Sequence, residues 1–212
     1  MKLDDWRIVF IASTLILILL VFAPVFGLFL PKSGEKFLAL AVLGEGGMAE
    51  NYYPNDDPEL EVGEKVHWSI YMYNHMGSVQ YVAVRCKLID STISSPNSTS
   101  CDPFPVSHIY EIRKIMNKNE TWLYPLEWSL AKVTEYDGQT SIEGVNINGI
   151  HVDTDAASQS RYNFRMAMEL WVYDSTEGRF EFGWKAGEER RCAWNQIWYN
   201  ATYDPYGPLP PG

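Results

Sequence analysis

His151, Asp153 and Asp155 stand at alternate positions. On an extended strand such spacing would put all three side chains on one face, and oxygen-rich clusters of this kind hold hard cations. The ligand set is thin: the EF-hand spacing is absent, and imidazole suits calcium poorly. The three are therefore weak metal candidates, and a solvated loop explains them better. The other histidines, His67, His75 and His108, form no i, i+4 pair with one another or with His151. No Gly-x-Ser-x-Gly elbow or Cys–His signature provides a nucleophile. With 27 carboxylates in the chain, a glycosidase-like pair carries no information, because some pair would occur anyway. The expectation is a non-catalytic protein without a cofactor.

Three cysteines, Cys86, Cys101 and Cys192, are too few for a disulfide scaffold. Cys86 and Cys101 could close a short loop in an oxidising compartment. Alternation also sets Cys86 on one strand face with Val82, Val84 and Leu88, where an inert buried thiol would serve. Cys192 is then left over, for burial or for a covalent dimer. Eight tryptophans and thirteen tyrosines are the more telling excess, since exposed rings bind sugars and anchor protein interfaces. Trp68, Trp128 and Trp171 fall in strands and suit a core. Trp194 and Trp198 flank Gln196 on one strand face and form the candidate contact patch. Asn97, Asn119 and Asn200 each open an Asn-x-Ser/Thr acceptor for N-linked glycans.

The elements that would carry these residues are strands. Val66, Trp68, Ile70 and Met72 alternate with His67, Ser69, Tyr71 and Tyr73, and residues 78–90 return as the second arm of a hairpin. Phe37 to Gly44 makes an opening strand. Residues 91–105, rich in Ser, Pro and Asn, form an irregular loop. Residues 107–117 fit a strand or a helix, with the strand preferred. Residues 120–133, interrupted by Pro125, suit a bulged or edge strand. Residues 136–160 read as a long polar loop holding one short strand at 145–152. The clearest strand is 162–172, with Tyr162, Phe164, Met166, Met168, Leu170 and Val172 on one face. Residues 179–185 and 192–202 complete the set. Seven to nine such strands predict an all-β, immunoglobulin-like sandwich over residues 37–203, followed by a loose Pro-rich tail at 204–212.

Ahead of this domain, Ile8 to Leu30 is 23 residues without a charge, 17 of them Leu, Ile, Val or Phe. As a helix it would extend about 34 Å, enough to cross a hydrocarbon core of about 30 Å with some tilt. A cleaved signal peptide has a shorter apolar region and a small-residue cleavage site, which Phe26 to Pro31 lacks. A pilin-like start is disfavoured by Asp4-Asp5-Trp6-Arg7 and by Pro31 with Gly34. The organisation expected is a cytoplasmic 1–7, a transmembrane helix 8–30, a linker 31–36 and a domain outside the cell membrane. Flanking charge is balanced, so orientation rests on the three acceptor sequences. The net charge of −10 excludes nucleic acid as a partner and disfavours anionic headgroups.

The stretch Tyr53-Pro54 through Val62-Gly63-Glu64, with Ile70 to Asn74, Gly77 and Tyr81, resembles an archaeal family of membrane-anchored proteins carrying domain of unknown function 1616. Asn119-Glu120-Thr121-Trp122, Asn163-Phe164-Arg165 to Leu170-Trp171 and Trp194-Asn195-Gln196-Ile197-Trp198 are similar to its second half. The resemblance covers most of the exterior region apart from residues 136–160. It implies an exterior β-sandwich on a helix and no particular activity. The function expected is to bind or scaffold another envelope or membrane-complex protein. An extracytoplasmic metalloprotein or envelope enzyme using His151 and Asp153 is the alternative, and a filament or stator subunit is a third.

Overall fold

The computed structural model describes residues 6, 9–17, 35–159 and 162–202. The chain divides into two compact units, residues 1–35 and 36–212. In the first, residues 9–17 are helical. No helix among the described residues is long and apolar enough to cross a membrane. Most of the expected span 8–30 lies outside the described residues, as do most of the linker 31–36 and the whole of the tail 204–212.

The second unit is built almost wholly of strands, in two main sheets packed as a sandwich. One sheet has the order β1-β3-β6-β7-β8, formed by β1 (Leu38–Leu43), β3 (Val66–Asn74), β6 (Thr121–Tyr136), β7 (Gln139–Ile147) and β8 (Ile150–Ser158). The other has the order β2-β13-β9-β4-β5, formed by β2 (Glu59–Leu60), β13 (Trp194–Ala201), β9 (Phe164–Asp174), β4 (Gln80–Ile89) and β5 (Tyr110–Met116). β10 (Arg179–Phe182) pairs with the last part of β9, beyond the stretch that β13 occupies. A small separate hairpin joins β11 (Trp184–Ala186) to β12 (Glu189–Arg191).

Alternation decides which side chains meet between the sheets. Val82, Val84, Cys86 and Leu88 of β4 and Met166, Met168, Leu170 and Val172 of β9 face Val66, Trp68, Ile70 and Met72 of β3. Trp68, Trp128 and Tyr199 form a run of rings through this core, with successive centroids 5.1 Å apart. Trp68 and Trp128 are thus core residues, as their alternation predicts. Trp171 is on the opposite face of β9, outside this core, with the Arg85 guanidinium 3.9 Å from its ring centroid.

Residues 136–160 depart from the sequence reading. They are not a long loop with one short strand but the end of β6 and the whole of β7 and β8. Two signals mark the turns. Asp137-Gly138 and Asn148-Gly149 all adopt positive φ, the requirement of the two-residue hairpin turn that Asp-Gly and Asn-Gly favour. The alternation is hidden because the register of β7 shifts against both neighbours around Gly144. Thr140 and Ile142 point inward before that shift, and Val145 and Ile147 after it. A Cβ at Gly144 would lie 2.8 Å from the exposed His151 ring, which would have to turn aside.

β6 reads as a central strand, yet it holds Pro125, which donates nothing to a ladder. Its pairing with β7 begins only at Trp128. Over residues 121–127 one side of β6 is therefore a free edge, in keeping with the edge strand that Pro125 predicts. Asn148 closes the end of that edge. Its backbone N–H donates to the Glu127 carbonyl at 2.8 Å, and its side-chain Oδ1 accepts from Glu127 N at 2.8 Å.

Candidate functional site

Arg165, Ala167, Glu169 and Trp171 of β9 share the outer face of the second sheet with Arg85 and Lys87 of β4 and with Trp194, Gln196 and Trp198 of β13. Simple alternation would leave this face in water. Glu169 is fully buried, and Lys87 and Arg165 nearly so, because the irregular segment 90–109 folds back across them. Ile93, Phe104 and Val106 pack there against Ile89, Ala167 and Trp194 as a second, smaller apolar cluster.

Apart from Arg165 Nε, the polar groups beneath are paired. The Glu169 carboxylate accepts from Lys87 Nζ at 2.9 Å, Phe104 N at 2.6 Å and Trp171 Nε1 at 3.0 Å. Lys87 also donates to the Phe104 carbonyl at 2.7 Å. Arg165 donates through Nη2 to the carbonyls of Asp90 and Ile93, and through Nη1 to Gln196 Oε1. A buried carboxylate and ammonium with this many partners stand at tolerable cost, whereas either one alone would not. Burial lowers the pKa of Lys87, opposed by its hydrogen bond to Glu169. With three donors on its carboxylate and no exposure, Glu169 lacks the open approach that a general base needs. The cluster fastens the covering segment to the sheet.

At the β5 edge the pattern opens to solvent. Glu111 accepts from Arg85 Nε and Arg113 Nε, each at 2.6 Å. Burial alone would raise its pKa, but these two guanidinium contacts outweigh burial and lower it. Beyond the covering segment, Tyr81, Tyr173 and Phe180 pack on one another with centroids 4.9 to 5.6 Å apart. Arg113 lies over Phe180 at 5.0 Å, and Ile115, opposite Tyr81, is 63% exposed. Tyr173 is exposed as well.

Trp194 and Trp198 do flank Gln196 on one face, but they serve different ends. Trp194 is half-buried and meets Phe104 edge-on at 5.7 Å, so it belongs to the seat of the covering segment. Trp198 is 45% exposed, with the Arg165 guanidinium 4.7 Å from its ring centroid. The tyrosine and phenylalanine cluster escaped sequence reasoning, because Tyr81, Tyr173 and Phe180 lie on three separate strands. Only the register of β4, β9 and β10 brings them together.

His151 and Asp153 touch, Nε2 to Oδ1, at 3.3 Å on the exposed β8 edge. His151 Nδ1 is 3.1 Å from Asn146 Oδ1. Asp153 and Asp155 line a cleft of about 430 Å³ whose opposite wall includes Asp90 and His108. His151, Asp153 and Asp155 lie on the exposed face of β8, alternating with Val152 and Ala156, which pack against the core. Among the described residues, no group of three or more His, Cys, Asp or Glu side chains is placed to hold a metal.

All three cysteines are free thiols. The pairing of Cys86 with Cys101 is not what the fold brings together. Cys86 is sealed in the core between the sheets, where burial pushes its thiol up to about 12. Cys101 instead neighbours Cys192, whose thiol is pushed up to about 12 by burial and by Cys101. Of the acceptor asparagines, Asn97 and Asn119 sit exposed in turns. Asn200 is half-buried within β13, its Nδ2 donating to Glu59 Oε1 at 2.8 Å and its Oδ1 accepting from Asn163 N at 3.1 Å.

No family model matches the chain, and no curated protein does. Among solved structures, a β-glucosidase from Listeria innocua in complex with gluconolactone aligns at 8% identity with a TM-score of 0.28. That alignment covers 79% of this chain and 17% of the other. So slight a likeness carries neither fold nor function.

Proposed function

We propose that this chain is a non-catalytic, membrane-tethered module with an immunoglobulin-like sandwich outside the cell membrane, and that it docks a protein partner of the envelope or of a membrane complex. The observation that carries the reading is the cluster of Tyr81, Tyr173 and Phe180 beside exposed Ile115 and Arg113. Aromatic rings and arginine are the residue types that anchor interfaces, since they bury large area at small cost in side-chain entropy. Packed on one another, these rings are held in place before a partner arrives, which lowers the ordering cost of association. The 23-residue apolar run supports the tether, and the exposed acceptors Asn97 and Asn119 agree with an exterior domain. Tethering to the bilayer would raise the effective concentration of neighbours in the same membrane.

A photo-crosslinking residue at position 173 or 180 of the full-length protein, in intact membranes, tests this. The expected result is one or a few discrete adducts, absent when the probe sits at Ile150. Tyr173→Ala with Phe180→Ala should abolish co-purification of the same partner without unfolding the domain. Adducts equally abundant from position 150, or none from 173 and 180, would defeat the reading. Protease added to intact cells should remove the sandwich and spare the first thirty residues.

A further inference from the structure

We infer that Cys101 and Cys192 are the two halves of a disulfide that clasps the covering segment to the start of β13. The two thiols stand 91 residues apart in sequence, the Phe104 and Trp194 rings that follow them meet at 5.7 Å, and Cys101 is near enough to help raise the pKa of the Cys192 thiol. Each is placed by separate interactions. Residues 97–102 form a tight loop closed by reciprocal backbone bonds between Asn97 and Asp102, of 3.2 and 3.3 Å. Within it Cys101 adopts φ 54° and is buried. Three residues later Phe104 is pinned to Glu169 by its N–H and to Lys87 by its carbonyl.

Cys192 is fixed from the other side. The two ends of the β11–β12 hairpin are drawn together on one residue of β9: Gly183 N donates to the Leu170 carbonyl at 3.2 Å, and Leu170 N donates to the Ala193 carbonyl at 3.0 Å. Gly183, at φ +84°, lies so close to this junction that a Cβ would be 2.1 Å from the Arg191 carbonyl oxygen and 3.0 Å from the Cys192 Cβ. Two residues on, Trp194 meets Phe104. The Phe104–Trp194 contact thus holds together the two segments that carry the thiols. Cys86, by contrast, belongs to the core and faces away from the covering segment.

The two thiols differ in access, and because burial and the neighbouring Cys101 push the Cys192 thiol up to about 12, its oxidation is favoured by alkaline conditions. Cys192 is half-buried and Cys101 is buried behind it. The oxidant required is a disulfide, either a small molecule such as oxidised glutathione or an oxidoreductase of the exterior compartment. The Cys192 thiolate attacks one sulfur of that disulfide, forming a mixed disulfide and releasing one thiol. The Cys101 thiolate then attacks the Cys192 sulfur, forming the Sγ–Sγ bond and releasing the second thiol. Two protons and two electrons leave the protein, and the oxidant is reduced to two thiols. In the oxidised protein the cover over Lys87 and Glu169 would be covalently shut, and an exterior location is where such a bond persists.

The test uses the full-length chain incubated to completion with oxidised glutathione at alkaline pH, alkylated without reduction and mapped by peptide mass spectrometry. The expected map has one intramolecular link, Cys101 to Cys192, with Cys86 alkylated only after denaturation. A link that includes Cys86, an intermolecular Cys192 link, or quantitative alkylation of Cys101 and Cys192 under these conditions would overturn the assignment. A thermal measurement is independent of the mapping. Closing so long a loop should raise Tm of the oxidised over the reduced protein by about 10 °C. Cys192→Ser should abolish that difference, and Cys86→Ser should keep it. A difference that survives in Cys192→Ser would also refute the clasp.

Discussion

The outer faces of the two sheets carry similar residues in opposite circumstances. On the β3-β6-β7 side, Lys65 pairs with Glu127 and Lys132 with Glu143, with all four side chains well exposed. On the β4-β9-β13 side, Lys87 pairs with Glu169 beneath the covering segment, at 4% and 0% exposure. The chemistry of the pairs is the same, and water decides their worth. An exposed pair gains about 0–1 kcal/mol and is screened by salt. Breaking a buried pair strands a charge and costs about 3–5 kcal/mol. The difference arises because one face is bare while residues 90–109 fold back over the other.

Lys87→Met should therefore be the most damaging of the charge changes, lowering stability in urea by about 3–5 kcal/mol. A loss under 1 kcal/mol would mean that water reaches Glu169, and the contrast between the faces would vanish. Phe104→Ala should follow at roughly 3 kcal/mol, from the lost ring and the space left beside Ala167 and Trp194. Its particular mark is faster alkylation of Cys101 in the reduced protein, since the cover is then held less tightly. Unchanged labelling would show that the segment does not depend on this ring.

Glu111 sharpens the comparison at the border between covered and open surface. Its folded-state pKa lies below the ordinary value for glutamate, so the unfolded chain binds the proton more readily. The stability it contributes is present above pH about 4.5 and is lost as pH falls through the folded value. Glu111→Gln should cost about 1–2 kcal/mol at pH 7 and flatten part of the decline between pH 5 and 3. A decline as steep as in the unaltered protein would assign that acid sensitivity to other carboxylates. Smallest of all, Lys132→Ala should change stability by at most about 0.5 kcal/mol, less at high salt. A larger loss would show that the bare face is not bare.

Much of the strand order was legible because alternation reports one buried face. Val66 to Met72 and Phe164 to Val172 are read correctly on that ground alone. Residues 139–158 were not, since the register shift at Gly144 moves the inward set from Thr140 and Ile142 to Val145 and Ile147. The Asp137-Gly138 and Asn148-Gly149 turns were the signal available there. The buried charges were illegible for another reason. Arg165 and Glu169 occupy the positions that a two-layer sandwich exposes, and nothing local reports that a distant Ser/Pro-rich segment covers them. For the same reason Trp194, expected at a contact surface, is spent on Phe104, while Tyr81, Tyr173 and Phe180 meet only through pairings across three strands. Cys101 and Cys192 belong to this class too, as neighbours that sequence separation disguises.

The unpaired half of β6 has a bearing on how these molecules tolerate crowding. A free strand edge invites a second copy to add its own strand. Here the invitation is withdrawn: Pro125 offers no N–H, and Asn148 already engages both the N–H and the carbonyl of Glu127. Replacing Pro125 by Val and Asn148 by Gly together would add an N–H at position 125 and free that of Glu127, leaving the Glu127 carbonyl still taken by the backbone N–H of residue 148. The fold itself would be little altered, but copies could then polymerise edge to edge.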